Sequence, residues 1–162
     1  MKLDIEEVKK YISNTSENTK IYIGGDSVRF RKRTENGKMV WHARYSIAVV
    51  IHHDGNKGCK IFGGTEVAVD YDQKKARPAI RLMGEVYKIS EVYLQLAEAI
   101  GDRPHEIHLD LNPNELAGSN CVITQAIGYI RGTCDVTPKV KPNAPAATYA
   151  ADRIAHGDLK AA

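Results

Sequence analysis

Three absences narrow the reading of this chain before any motif is considered. Its 162 residues contain no apolar run approaching the roughly 18 residues of a membrane span, and Met1-Lys2-Leu3-Asp4 does not begin a secretory signal. Cysteine is scarce: Cys59, Cys121 and Cys134 are an odd number without a C-x-x-C pair, which argues against a disulfide framework and against a cysteine zinc site. Neither sign of charge dominates. The 23 Lys and Arg against 20 Asp and Glu leave a net charge of +3, which permits a polyanionic partner without demanding one. What is present, 43% hydrophobic and 27% charged residues, is the composition of a globular protein and not of a disordered one. The length suits one domain, with residues 1–18 as a leading helix and connector and residues 158–162 as a tail. A soluble, cytoplasmic protein without membrane contact is the expectation.

Local patterns then lay out the elements. Asp4 is a good N-cap and Glu7 stands three residues later, as a capping box requires, while Ile5, Val8 and Ile12 share one face of a short helix. Residues 20–27 (KIYIGGDS) read as a strand ending at Asp26. Residues 39–53 and 60–69 read as a second and third strand around the Asp54-Gly55-Asn56 turn, so the three predict an antiparallel meander. Leu82, Val86, Ile89, Tyr93, Leu96 and Ile100 recur at helical spacing, with Pro78 in the first turn and Gly101 at the C-cap. Residues 105–111 (HEIHLDL) alternate as a fourth strand, with His108 and Asp110 on one face. A helix capped by Ser119 or Asn120 and closed by Gly132, a fifth strand over residues 134–140 and a last helix over residues 147–156 complete the order. Strands in a meander followed by alternating helices and strands predict an α/β domain whose mixed sheet is covered on both faces.

Four carboxylates stand out against this layout. Asp26 ends the first strand beside two glycines, and Asp110 ends the fourth. If those strands are parallel neighbours, both side chains emerge at the carboxyl-terminal edge, where open α/β sheets bind ligands. Glu85 sits between Leu82 and Val86 and so faces partly inward. Asp152 lies on the last helix, with His156 one turn later. Singly, each acid has a plainer reading as a turn residue, a surface carboxylate or a helix cap. Converging, they would repel one another unless cations neutralised them. Oxygen ligands without cysteine suit Mg²⁺ or Mn²⁺, and two such ions about 4 Å apart can activate a water and stabilise the leaving oxygen of a phosphodiester.

Other residues support or compete with that idea. His156 can assist proton transfer or product release, or is simply an exposed histidine near a helix end. Lys139 and Lys141 can hold a scissile phosphate, or are solvated lysines. Ser27 can offer a hydroxyl to a phosphate, or is a turn residue. Arg29, Arg31, Lys32 and Arg33, four cations within five residues, form either a solvated loop between strands or an arm that contacts a nucleic-acid backbone. His42, His52, His53 and His108 lack metal-ligand spacing and read as structural, His108 being the exception to watch. Asp70 and Asp72 read as charge compensation at the start of the long helix. Trp41 and Tyr45 read as strand packing.

IYIGGDS around Asp26, the long helix carrying Glu85, HLDLNP around Asp110 and KPNAPAATYAADRIAHG around Asp152 together resemble the ribonuclease-H-like superfamily, and within it the YkuK-type branch of small bacterial and phage proteins. The last stretch is the most specific. The resemblance covers residues 4–157. It implies a five-stranded mixed sheet in the order 3-2-1-4-5 with strand 2 antiparallel, and a two-metal phosphodiesterase centre in which Asp26, Glu85, Asp110 and Asp152 match the acidic positions one by one. It therefore implies a nuclease using two Mg²⁺ or Mn²⁺ ions on RNA, RNA–DNA hybrid or DNA. A non-catalytic nucleic-acid- or protein-binding module, and an exonuclease or branched-DNA resolvase, stay open beside it. The chain departs from the pattern at Gly25, at the long basic connection after strand 1, and at the uncharged Asn112 and Asn114.

Overall fold

The computed structural model describes residues 2–55, 57–72, 78–114 and 118–156. The expected tail at residues 158–162 lies outside the described residues. Helix α1, Ile5–Ser13, begins where the capping signal stands: the Glu7 N–H donates to Asp4 Oδ1 at 3.1 Å. Strands β1 (Lys20–Arg33), β2 (Met39–His52) and β3 (Cys59–Val69) form the expected antiparallel meander. Helix α2, Ala79–Ile100, follows, then β4 (His105–Leu109) and α3 (Ile123–Cys134). A π-helical stretch, Ala146–Ala151, runs directly into α4, Asp152–Ala155.

The sheet order is β3-β2-β1-β4, with β1 and β4 parallel and β2 antiparallel to β1. This is the expected mixed order, except that the described residues hold four strands and not five. Where a fifth strand was expected, the chain makes one parallel bridge, His108 to Lys139, through Lys139 N to Ile107 O (2.8 Å) and Leu109 N to Lys139 O (2.8 Å). The cause is local. Helix α3 runs past Gly132 to Cys134, Asp135 caps it at φ 55°, and Pro138 has no N–H to give to a ladder.

Each face of the sheet has its own core. On one side Ile21, Ile23, Val49, Ile51 and Phe62 pack against Val86, Ile89, Leu96 and Ile100 of α2, with Val8 and Ile12 of α1 and Ile130 of α3. On the other, Ala48 and Val50 meet Ala146, Ala150, Ala151 and Ile154. Small residues here let the last helical segment lie close against the sheet. Close approach also governs the edge near α1, where a Cβ on Gly64 would stand 2.4 Å from the Leu3 backbone nitrogen. Backbone gives way less readily than a side chain, so Gly64→Ala is expected to cost roughly 1–3 kcal/mol by overpacking. Urea melts check this; an unchanged midpoint would show that residues 2–4 move aside freely.

Strand β1 does not end at Asp26 as expected. It continues seven residues to Arg33, paired with β2 throughout, in the register Asp26–Ser46, Arg31–Trp41, Arg33–Met39. The basic segment is therefore a strand and not a loop. It forms a two-stranded ribbon that runs beyond β4, whose pairing with β1 stops at Gly25–Leu109, and beyond β3, whose pairing with β2 stops at His42–Val69.

Candidate active site

The parallel register of β1 and β4 brings two acids together. One step beyond the Gly25–Leu109 pair, Asp26 and Asp110 stand side by side, on the same sheet face as Tyr22 and His108 by strand alternation. Asp26 is only 7% exposed. Burial, followed by its hydrogen bond to Asp110 and the charges of Glu85 and Asp110, pushes its carboxyl far above the ordinary range. The Asp26 carboxyl is thereby biased towards its protonated form beside Asp110, while its Oδ1 accepts from the Ser27 N–H at 2.8 Å.

Glu85 arrives from α2, facing inward as expected and only 3% exposed. Burial pushes it up to about 8, against the opposing effects of the Ser27 hydrogen bond and the Arg81 charge. Ser27 donates its hydroxyl to Glu85 Oε1. Arg81, one turn earlier on α2, donates from Nη1 to Ser27 Oγ at 2.6 Å and lies 4.0 Å from Glu85. On the other side of the cluster, Lys141 Nζ lies 2.6 Å from Asp110 Oδ1. Burial works against the lysine charge, but Asp110 and the fields of Asp26 and Glu85 outweigh it and raise its pKa. Three carboxyls thus meet two built-in cations, Arg81 and Lys141. Sequence reasoning missed Arg81; its signal was the i, i+4 spacing to Glu85.

The remaining expected residues are placed elsewhere. Asp152 is half-exposed and pairs with His156 Nδ1 at 3.3 Å; no hydrogen bond or ion pair among the described residues ties either to Asp26, Glu85 or Asp110. The backbone beside Asp152 does approach: Ser46, opposite Asp26 on β2, donates to Ala151 O at 2.7 Å. Lys139 binds Glu106 at 2.6 Å, as does Lys20. Burial pushes Glu106 up, yet these lysines hold it down to about 2. His108, set apart from the other histidines in the sequence, has an anchoring role: its Nδ1 accepts the Ala146 N–H at 3.0 Å, which ties the start of the last helical segment to β4, and burial lowers its pKa.

Arg29 is internal bracing. It donates from Nε to Asp70 at 2.6 Å and stacks 4.1 Å from the Trp41 ring, while Arg31 covers the same ring at 4.7 Å. Asp72 does compensate the start of α2, accepting from the N–H groups of Ile80 and Arg81 at 2.8 Å each. Tyr45 is buried strand packing. A cavity of about 520 Å³ is lined by Tyr22, Glu106, His108, Lys139, Pro145 and Lys141, the last of which also pairs with Asp110.

A mixed sheet of this order with carboxyls gathered at the ends of β1 and β4 agrees with the family comparison. The family model described as ribonuclease H-like matches residues 4–156. The chain belongs to the ribonuclease-H-like family. No curated protein and no solved structure matches the sequence. Among the described residues, no helix is long and apolar enough to cross a membrane.

Membership raises the question of whether this ribonuclease-H-like site fits a divalent cation. In kind, the donors fit: Asp26 and Asp110 are hard oxygen ligands, and the raised pKa of Asp26 reflects burial beside the charges of Glu85 and Asp110. In arrangement, the fit is incomplete. No group of three His, Cys, Asp or Glu side chains among the described residues is gathered so as to hold a metal ion. Glu85 is engaged with Ser27, and Asp152 with His156.

Proposed function

We propose that this protein hydrolyses nucleic-acid phosphodiesters with Mg²⁺ or Mn²⁺ held by Asp26 and Asp110, joined by Glu85 once it leaves Ser27. The observation that carries the reading is the placing of Asp26 and Asp110 side by side, one step beyond the last parallel pair of β1 and β4. When bound, the cations would polarise the phosphoryl oxygens and acidify water, in the two-ion manner of the superfamily. The chain's own side chains do the rest. Lys141, displaced from Asp110, turns its charge to the scissile phosphate, and Lys139 lines the same cavity. In the cation-free protein Ser27 and Arg81 orient Glu85, whose pKa is near 8, so joining the cations would release its proton. Asp152 and His156 act from the rim, where His156 passes protons to solvent.

A second reading, a nucleic-acid-binding module without turnover, is favoured by the incomplete cage and by the two side-chain cations already seated on the acids. End-labelled single strands, duplexes, RNA–DNA hybrids and four-way junctions, incubated with Mg²⁺ or Mn²⁺, separate the two. Cation-dependent cleavage supports hydrolysis, and product lengths tell an endonuclease from an exonuclease or a resolvase. Binding without cleavage of any substrate would leave the second reading standing.

A further inference from the structure

The ribbon formed by the ends of β1 and β2 has no role in the acid cluster, yet it leaves the sheet at the edge where Asp26 and Asp110 stand. Its tip carries Arg31, Lys32, Arg33 and Lys38, all exposed, against one exposed acid, Glu35. In a chain whose net charge is only +3, that is a marked local concentration. Strand alternation puts Arg31 and Arg33 on one face of the ribbon and Lys32 on the other, so both faces are cationic.

We infer that this ribbon enters the major groove of a DNA duplex, with its cations on the phosphates of both flanking strands. A B-form major groove, about 12 Å wide, admits a two-stranded β-ribbon, whereas the major groove of an A-form RNA duplex is too deep and narrow for side chains to read. A single strand would call for open aromatic platforms. The aromatic rings here are already engaged: Trp41 lies under Arg29 and Arg31, and Phe30 packs between His42 and Arg44. Arg31 and Arg33 are five and seven residues beyond Asp26, about 17–23 Å at roughly 3.3 Å per residue. At about 3.4 Å per base pair, the acids meet the duplex some five to seven base pairs from the ribbon tip. The inference rests on the nucleic-acid reading above and assigns its substrate class.

Fluorescence anisotropy in EDTA, across a salt series, tests it without turnover. The probes are a 20-base-pair DNA duplex, the RNA duplex and DNA single strand of the same sequence, and phosphatidylserine vesicles. The DNA duplex is expected to bind tightest. A variant carrying Arg31→Ala, Lys32→Ala and Arg33→Ala should bind it at least about tenfold more weakly at low salt, with the salt slope reduced by about 3. Equal melting temperatures, and a slope retained by Arg31→Lys with Arg33→Lys, assign the loss to charge. An unchanged slope in the triple variant, equally tight and equally arm-dependent binding of the RNA duplex or single strand, or arm-dependent binding of vesicles alone would overturn it, as would loss of the slope in the lysine variant. Arm-dependent DNA binding without cleavage would sink hydrolysis alone; cleavage with arm-independent binding would sink this inference alone.

Discussion

Raising the pH of the cation-free protein from 6 to 8 is expected to cost about 2 kcal/mol of folding stability through Glu85 alone. A buried carboxyl whose folded pKa is near 8 and whose unfolded pKa is near 4.5 behaves with a fixed sign. Below both values each state holds the proton, and there is no penalty. Between them the unfolded chain releases its proton while the folded chain does not, so each pH unit costs about 1.4 kcal/mol until the folded group titrates. Asp26, raised by burial and by Asp110, adds to the loss. Glu106, whose folded value is lowered, acts with the opposite sign only at lower pH, whereas His108, lowered from 6.5, opposes the loss in the lower part of this window, so the difference between wild type and a Glu85 variant is what isolates Glu85. Glu85→Gln keeps an oxygen acceptor for Ser27 and should flatten the profile. Urea melts in chelator at stepped pH give the measurement; parallel profiles for the two proteins would show that Glu85 is not under strain.

Asp26→Asn should cut cleavage by about 1,000-fold or more, the rate equivalent of several kcal/mol of cation-derived stabilisation. At pH 8 it should also make the cation-free protein more stable. The amide can donate towards Asp110 and accept from the Ser27 N–H, so these contacts survive while the cost of keeping the Asp26 carboxyl protonated at pH 8 disappears. Mn²⁺ should then raise the melting temperature of the wild type and leave that of the variant nearly unchanged. Asp26 is the better choice than Asp110 for this purpose, because removing the Asp110 charge would also break its pair with Lys141. Equal cleavage by both proteins would point to a contaminating nuclease, and equal melting temperatures without cation would mean that Asp26 carries no electrostatic penalty.

Helix α2 was legible because six apolar residues at helical spacing and a glycine stop agree, and the same spacing turned Glu85 inward. The Asp26–Asp110 meeting followed from two strand ends, and it needed only parallel pairing to be realised. The basic ribbon was not legible. Charged residues on exposed strands have no core face to reveal their period, and it is pairing with β2 that makes them a strand. The fifth strand failed on Asp135 and Pro138, whose constraints are visible in sequence but whose effect depends on where α3 stops. The i, i+4 spacing of Asp152 and His156 was legible, and the two meet at 3.3 Å; the π-helical stretch that precedes them, with more residues per turn, was not.

Lys141 and Arg81 already sit on the acids, so part of the mutual repulsion is answered by the polypeptide itself. Acquiring shape and acquiring an inorganic partner are then separate events. Stripping the protein with a chelator would empty the centre and leave the scaffold standing, and a lineage could lose the chemistry without losing the molecule.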